Sequence, residues 1–244
     1  MSNPYFEFKQ FRITQVHSAM KVTTDACLFG AWAAESIQFL TIKNKIQNIL
    51  DVGTGTGLLS LMIIQKNPEV FVDAVEIDHA SAIEAHENTF TSSWKKNIKV
   101  IEADIKTFVP GSLYDVIISN PPFYENELAS PDAKKNVAYH DEGLLLEELL
   151  VVINKNLNGN GKFFLLSSNK RDKELNKLFT KYNLFISEKV SVRQSVNHPI
   201  SRVMICGSAN GDEKTKISEI SIRDDKEQYT TEFTKLLKDY YLNL

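Results

Sequence analysis

The sequence predicts an α/β protein with a doubly wound, mostly parallel, Rossmann-like sheet of seven strands. The last strand is antiparallel, and an N-terminal extension precedes the sheet. Three observations carry this expectation. Short apolar runs alternate with helix-length segments from residue 46 to about residue 182, the pattern of parallel βαβ units with helices on both faces. The first run ends in a glycine-rich turn that opens a helix. The last two runs are only about eight residues apart, too close for a helical crossover, so they form an antiparallel hairpin.

The extension, residues 1–45, holds a hairpin-like piece over 6–15 and an apolar helix over 25–34 that Asp25 is placed to cap. Residues 46–244 read as one domain, because no linker or low-complexity stretch divides them. Strand one covers 46–52 (IQNILDV), and the helix over 58–65 is stopped by Asn67-Pro68. Strand two covers 70–77, and Asp78 can cap a helix to about Phe90. Strands three and four are 98–102 and 114–119. Asp141 can cap a helix to about Leu157 that Asn158-Gly159 ends. Strand five covers 162–167, followed by a lysine-rich helix to Tyr182, hairpin strands over 184–192 and 201–207, and a helix over 230–240.

Composition excludes several classes. In 244 residues, 43% are apolar and 24% charged, which are ordinary globular values. The two cysteines, Cys27 and Cys206, form no C-x-x-C pair, so a disulfide framework and a zinc ribbon lack their residues. The five histidines, His17, His79, His86, His140 and His198, show no ligand-like spacing, and no metal is expected. No run approaches a membrane span, the first twelve residues lack the apolar core of a secretory signal, and a cytoplasmic protein without a stable protein partner is expected.

The turn Asp51-Val52-Gly53-Thr54-Gly55-Thr56-Gly57 is the first chemical signal. Its glycines allow positive φ and close backbone approach to a ligand, and the helix it opens favours an anion. The pattern is D-x-G-x-G-x-G; Leu58 stands where a dinucleotide fingerprint needs its third glycine. No nucleotide-triphosphate phosphate loop occurs. Glu76 ends strand two, where such sheets place an acid on a ribose diol. Asp104 follows strand three and can accept a hydrogen bond from a purine's exocyclic amine. Each acid alone would pass for a solvated loop carboxylate. Three at consecutive strand ends beside a glycine loop mark the ligand crevice.

Strand four runs into Asn120-Pro121-Pro122-Phe123. Consecutive prolines fix φ and remove two amide donors, and Asn120 is pushed towards extended backbone. A rigid loop results, with the Asn120 side-chain oxygen and the Pro121 carbonyl as acceptors. Two acceptors on the N–H bonds of a delocalised amine aim its lone pair at an electrophile and stabilise the positive charge that develops. Phe123 offers a flat face on which a base can stack.

These residues resemble class I S-adenosylmethionine-dependent methyltransferases that methylate amino groups, and the resemblance covers nearly the whole chain. It implies that the loop over 51–57 holds the cofactor's methionine part, with contacts at Asp51, Gly53, Thr54, Gly55 and Gly57. Glu76 and Ile77 would meet the ribose, Asp104 and Ile105 the adenine, and Asn120 both cofactor and amine. The product would be S-adenosyl-L-homocysteine. Residues 8–11 (FKQF), 20–32 (MKVTTDACLFGAW), 199–205 and the tail from Ile222 through Tyr229 to Tyr241 look like the bacterial valine-tRNA adenine-N6 methyltransferases. That family's target is the adenine 3′ of the anticodon, which implies a tRNA partner. Cys27 departs from the small residue usual there. A release-factor glutamine methyltransferase and an inactive cofactor-binding scaffold are the rival readings. Lys21 is a candidate for the cofactor's carboxylate or for a tRNA phosphate, while Met20 and Trp32 read as core.

The net charge is −3, which argues against a wholly basic surface. Between residues 162 and 202, however, nine cations (Lys162, Lys170, Arg171, Lys173, Lys177, Lys181, Lys189, Arg193 and Arg202) face three acids (Asp172, Glu174 and Glu188). Arg193, His198 and Arg202, on or beside the final hairpin, are the candidates for RNA contact.

Overall fold

The computed structural model describes residues 3–18, 20–44, 46–121, 144–211 and 214–244. In chain order the described elements are β1 (Tyr5–Glu7), β2 (Arg12–Thr14), α1 (Thr24–Asn44), β3 (Asn48–Val52), α2 (Leu58–Lys66), β4 (Phe71–Glu76), α3 (His79–Phe90), β5 (Ile98–Glu102) and β6 (Tyr114–Ser119). They continue with α4 (Leu146–Asn156), β7 (Leu157–Ser168), α5 (Asp172–Lys181), β8 (Phe185–Ser195), β9 (Ile200–Ser208), β10 (Lys216–Arg223) and α6 (Thr231–Leu237). The strands β1 and β2 pair separately; the others form one eight-stranded sheet in the order β10-β8-β9-β7-β6-β3-β4-β5. Only β9 runs against the rest.

The expected doubly wound sheet is present, with one strand more than the seven read from sequence. The additional strand, β10, joins the outer side of β8 in parallel. Its Ile217 is 74% exposed, and only Ile222 on it is buried. An edge strand that buries so little carries a weak hydrophobic signal. Helix α4 ends at Asn156, as Asn158-Gly159 suggested, but β7 begins at once at Leu157, five residues before the expected strand, and Leu157 pairs with Tyr114 before a bulge. Asp141 lies outside the described residues. Asp78 does cap α3, accepting from Ser81 N at 2.8 Å.

The central strands bury both faces. Ile49, Val116, Ile118 and Phe164 point to one core, and their neighbours Leu50, Ile117, Phe163 and Leu165 to the other, as period-two geometry requires. Helices α1, α2 and α6 cover the first face, and α4 and α5 the second. Helix α1 runs ten residues beyond its expected end, and Trp32 packs edge-on against Phe164 at 5.5 Å. Asp25 lies in the first turn of α1 and, as expected of a capping acid, accepts from a helix-start amide, that of Ala26, at 3.0 Å. Thr23 occupies the cap position, its hydroxyl accepting from Ala26 N at 3.3 Å, and Asp25 pairs with Arg202 at 2.9 Å.

The two ends of the chain meet on the α1–α2 face. Phe8 stacks on Phe11 at 4.5 Å and bridges to Tyr241, and the Tyr240 hydroxyl donates to Met62 O at 2.9 Å. Cys27 and Cys206 are both buried and are not joined to each other.

Close packing sets one residue identity. Gly207 lies opposite Phe163 in the β7–β9 register, and a Cβ there would fall 2.3 Å from Phe163 Cζ and 2.5 Å from Phe185 O. Gly207→Ala is expected to destabilise the fold by about 1–3 kcal/mol through overpacking. Urea denaturation measures this, and an unchanged midpoint would contradict it.

Candidate active site

Parallel pairing brings the ends of four strands, β3, β4, β5 and β6, to one level. Val52 sits beside both Ser119 and Val75, and Glu76 beside Glu102. The Ser119 hydroxyl donates to Val52 O at 2.9 Å, which ties the strand preceding Asn120 to the strand preceding Gly53. The glycine loop and the Asn-Pro turn therefore leave the sheet side by side.

Within the loop, Gly53, Gly55 and Gly57 all have positive φ, at 68°, 58° and 80°. Amides of Gly53 and Thr54 donate to Val75 O at 2.9 and 3.1 Å. Nothing lies within 4 Å of a Cβ built on Gly53 or Gly55. Their glycine identity thus answers to backbone conformation, and the space beside them is open to a ligand.

Asp51 anchors this loop from below. It is fully buried, and its Oδ2 accepts from the hydroxyls of Thr54 and Ser60, each at 2.6 Å. Its Oδ1 has no partner among the described residues. Burial pushes the carboxyl up to about 6, against the two hydroxyl donors that favour its charged form.

Glu76 is nearly buried and already well held. Its Oε2 accepts from Gly55 N at 2.8 Å, and its Oε1 from Ile77 N and Asp78 N at 2.9 and 3.0 Å. A carboxylate offers about four lone-pair directions, so one remains for a ligand hydroxyl. Asp104 Oδ1 accepts from Lys106 N at 2.9 Å. Ile77, Asp104 and Ile105 line a cleft of about 470 Å³ together with Gly53 and Asp78. A smaller chamber of about 50 Å³ also touches Gly53 and is lined by Lys21, Thr54, Gly55, Thr56 and Asn120. Asn120 Oδ1 is buried and has no hydrogen-bond partner among the described residues. An unpaired buried acceptor is costly unless a ligand supplies the donor. Pro121 is described; Pro122 and Phe123 lie outside the described residues.

The expected RNA contacts take a different form. Arg193 pairs with Glu219 and donates to His198 O at 2.7 Å. The His198 ring meets Ser195 Oγ at 2.7 Å, and Arg202 pairs with Asp25. Among the nine cations counted above, Arg171, Lys181, Lys189, Arg193 and Arg202 each pair with an acid. All three expected contacts do sit at the crevice end of the sheet, because Arg202 pairs with Ser168 at the carboxyl end of β7. Met20, read as core, is 39% exposed and lines the smaller chamber.

Sequence reasoning missed Glu84 and Asn88 of α3. Glu84 is 2% exposed and accepts from the amides of Val16, His17 and Ser18. Asn88 exchanges hydrogen bonds with Thr14 N and O and donates to Thr56 O, each at 2.9 Å. An acid and an amide on a helix read as solvated, and nothing local announces their partners. Among the described residues, no group of three or more His, Cys, Asp or Glu could hold a metal ion, and no helix is long and apolar enough to cross a membrane.

A glycine loop, a nearly buried acid at the end of β4 and an amide oxygen without a partner among the described residues thus meet at aligned strand ends. The family model of the methyltransferase small domain matches residues 34–188. A solved structure of a predicted O-methyltransferase from Agrobacterium tumefaciens shares the fold, with a TM-score of 0.67 at 14% identity over 90% of this chain and 99% of that one. The tRNA1(Val) (adenine(37)-N6)-methyltransferase of Parabacteroides distasonis is 35% identical over the whole of both chains. That of Pedobacter heparinus is 34% identical over 97% of each. The chain belongs to the family of tRNA1(Val) (adenine(37)-N6)-methyltransferases, within the methyltransferase small domain class.

The raised Asp51 carboxyl has a thermodynamic consequence. Its folded value of about 6 lies above the ordinary 3.8, so the folded state binds the extra proton between these values and stability falls as pH rises through that window. Asp51→Asn lacks this titration. Relative to wild type, the variant is expected to gain up to about 3 kcal/mol between pH 4 and pH 7. Urea unfolding across this range checks it; a difference constant with pH would contradict it.

Proposed function

We propose that the protein transfers a methyl group from S-adenosylmethionine to N6 of an adenine in tRNA, the adenine 3′ of the anticodon of a valine tRNA. The observation that carries this reading is the buried Asn120 Oδ1, without a hydrogen-bond partner among the described residues, in a chamber shared with the glycine loop. Family membership supports the substrate, since the relatives' names specify that base. It also favours the tRNA over a release-factor glutamine.

The residues present fit the cofactor. Gly53 and Gly55 leave open space, Glu76 keeps a lone pair for a ribose hydroxyl, and Asp104 with Ile77 and Ile105 walls a cleft of suitable size for an adenosine. When bound, S-adenosylmethionine supplies an electrophilic sulfonium methyl. The chain's own contribution is alignment and electrostatics. Asn120 Oδ1 and the Pro121 carbonyl accept from the two N–H bonds of the amine, turning its lone pair towards the methyl and stabilising the cation that forms. Phe123 stacks on the flipped base. No strong general base is required, because the proton leaves after transfer.

The division of labour follows the same reading. Residues 46–244 form the catalytic domain, and residues 1–45 are an extension that completes its crevice. The enzyme acts in the cytoplasm, where its tRNA is, and uses no metal. Arg193, His198 and Arg202 contribute to the rim that meets RNA, and their internal pairing keeps the surface from binding nucleic acid indiscriminately.

Two measurements test this. Asn120→Ala is expected to lower turnover by about 10²–10³ while S-adenosylhomocysteine binding is retained; tritiated methyl transfer to tRNA, rRNA, DNA and release factor in parallel reads both rate and substrate. Unchanged turnover, or transfer to the release factor alone, would overturn the assignment. Affinity for unrelated RNA is expected to be weak with a shallow salt slope, because few phosphates are neutralised. A slope equivalent to roughly eight or more contacts would contradict that.

A further inference from the structure

We infer that the turn joining β8 to β9, residues 195–199, is a preformed grip for the tRNA backbone beside the target adenine. His198 Nε2–H is the donor to a phosphate oxygen, and Ser195 is the positioning residue that fixes the ring. The grip deepens the tRNA reading above and rests on it. The hairpin rises past the floor of the crevice. Across the sheet Ser119 is level with Leu165, Leu165 with Ile205, and Ile205 with Lys189. Ser195 lies six residues beyond Lys189 on β8, which at the rise of an extended strand is roughly 20 Å above the level from which Asn120 departs. A flipped base reaches down to Asn120 while its backbone stays at the mouth, beside this raised turn. Val196, Asn197, His198 and Pro199 are all exposed there.

The turn is held before any RNA arrives. His198 N donates to Ser195 O at 3.0 Å, and Val196 N to Arg223 O at 3.1 Å. Arg193, paired with Glu219 of β10, donates to His198 O at 2.7 Å. The ring itself is oriented. Ser195 is 1% exposed, its Oγ accepts from Asn197 N at 3.3 Å, and His198 Nδ1 lies 2.7 Å from that oxygen. A buried hydroxyl hydrogen needs an acceptor, and Nδ1 is the one it meets among the described residues. Nδ1 therefore accepts, and the ring's hydrogen sits on Nε2. A protonated ring carries a hydrogen there as well. Among the described residues Nε2 makes no hydrogen bond. A single ring N–H cannot make the paired contacts by which a base edge is read. It suits a phosphate oxygen, and phosphate contacts fix the register of a nucleic acid on its protein. Arg193 and Arg202, both paired with carboxylates, build the wall that presents this donor, and a donor fixed in advance loses little entropy on binding.

The test follows methyl transfer by the full-length protein to tRNA, either intact or carrying one neutral methylphosphonate linkage near the target adenine. His198→Ala is expected to raise KM for tRNA roughly 10-fold, with kcat and S-adenosylhomocysteine affinity retained. In wild type, neutralising one particular phosphate should raise KM by a similar factor, and the same linkage should cost His198→Ala nothing further. Ser195→Ala should raise KM in the same direction and add nothing in the His198→Ala background, whereas a purely structural role would add to it. An unchanged KM for His198→Ala, or losses that add at every linkage tested, would overturn the inference and leave the methyl-transfer reading intact. A loss of S-adenosylhomocysteine affinity matching the rise in KM would do the same. Wild type that methylates no tRNA would overturn the methyl-transfer reading, and this inference with it.

Discussion

The site depends on one buried carboxylate. Asp51 ends β3 with no exposure to solvent and accepts from Thr54 and Ser60. Those two hydroxyls belong to the glycine loop and to the first turn of α2, so one side chain holds the strand, the turn and the helix in register. Burying a carboxylate is unfavourable unless donors compensate. Two short hydrogen bonds compensate in part, and the remainder appears as a raised proton affinity. Three consecutive alternate glycines with positive φ would otherwise be free to sample many conformations.

A second layer of order comes from sequence-distant parts of the chain. The extension reaches the glycine loop through α3, where Glu84 and Asn88 satisfy backbone groups of residues 14–18. Asp25 at the start of α1 meets Arg202 on β9, so the two sides of the crevice are joined by a half-buried pair. The last residues return over α1 and α2, with Lys66 pairing to Asp239 at 2.7 Å. Crevice geometry is thus distributed over the whole chain, and the glycine loop does not act as a freestanding motif.

Charge follows the same logic. The excess of cations between residues 162 and 202 is real in sequence but partly spent inside the fold, since at least five of the nine pair with acids among the described residues. The more exposed of these pairs, such as Lys181–Glu147, contribute little to stability. Their larger effect is on the field: each neutralised cation reduces non-specific attraction to phosphate, so recognition rests on the shape of the rim.

By itself the sequence determined the alternation of strands and helices, the glycine loop, the acids at strand ends and the Asn-Pro turn. These are local patterns with a period or a conformational requirement, and β5 and β6 match their expected bounds residue for residue. Tertiary structure decided the rest. The edge strand β10 gains its hydrogen bonds from β8 and buries little, so its own residues announce it weakly. Asn158-Gly159 follows the end of α4 at Asn156 as expected, but it lies in the irregular stretch of β7 between the Leu157–Tyr114 and Lys162–Val116 pairs, which the turn signal alone did not announce. Asp25 accepts from a helix-start amide with one oxygen, as its sequence position suggested, and with the other meets an arginine 177 residues away, which nothing local announces. Glu84 shows the reason most plainly: a carboxylate's role is set by which donors surround it, and its donors come from a segment 66 residues earlier in the chain.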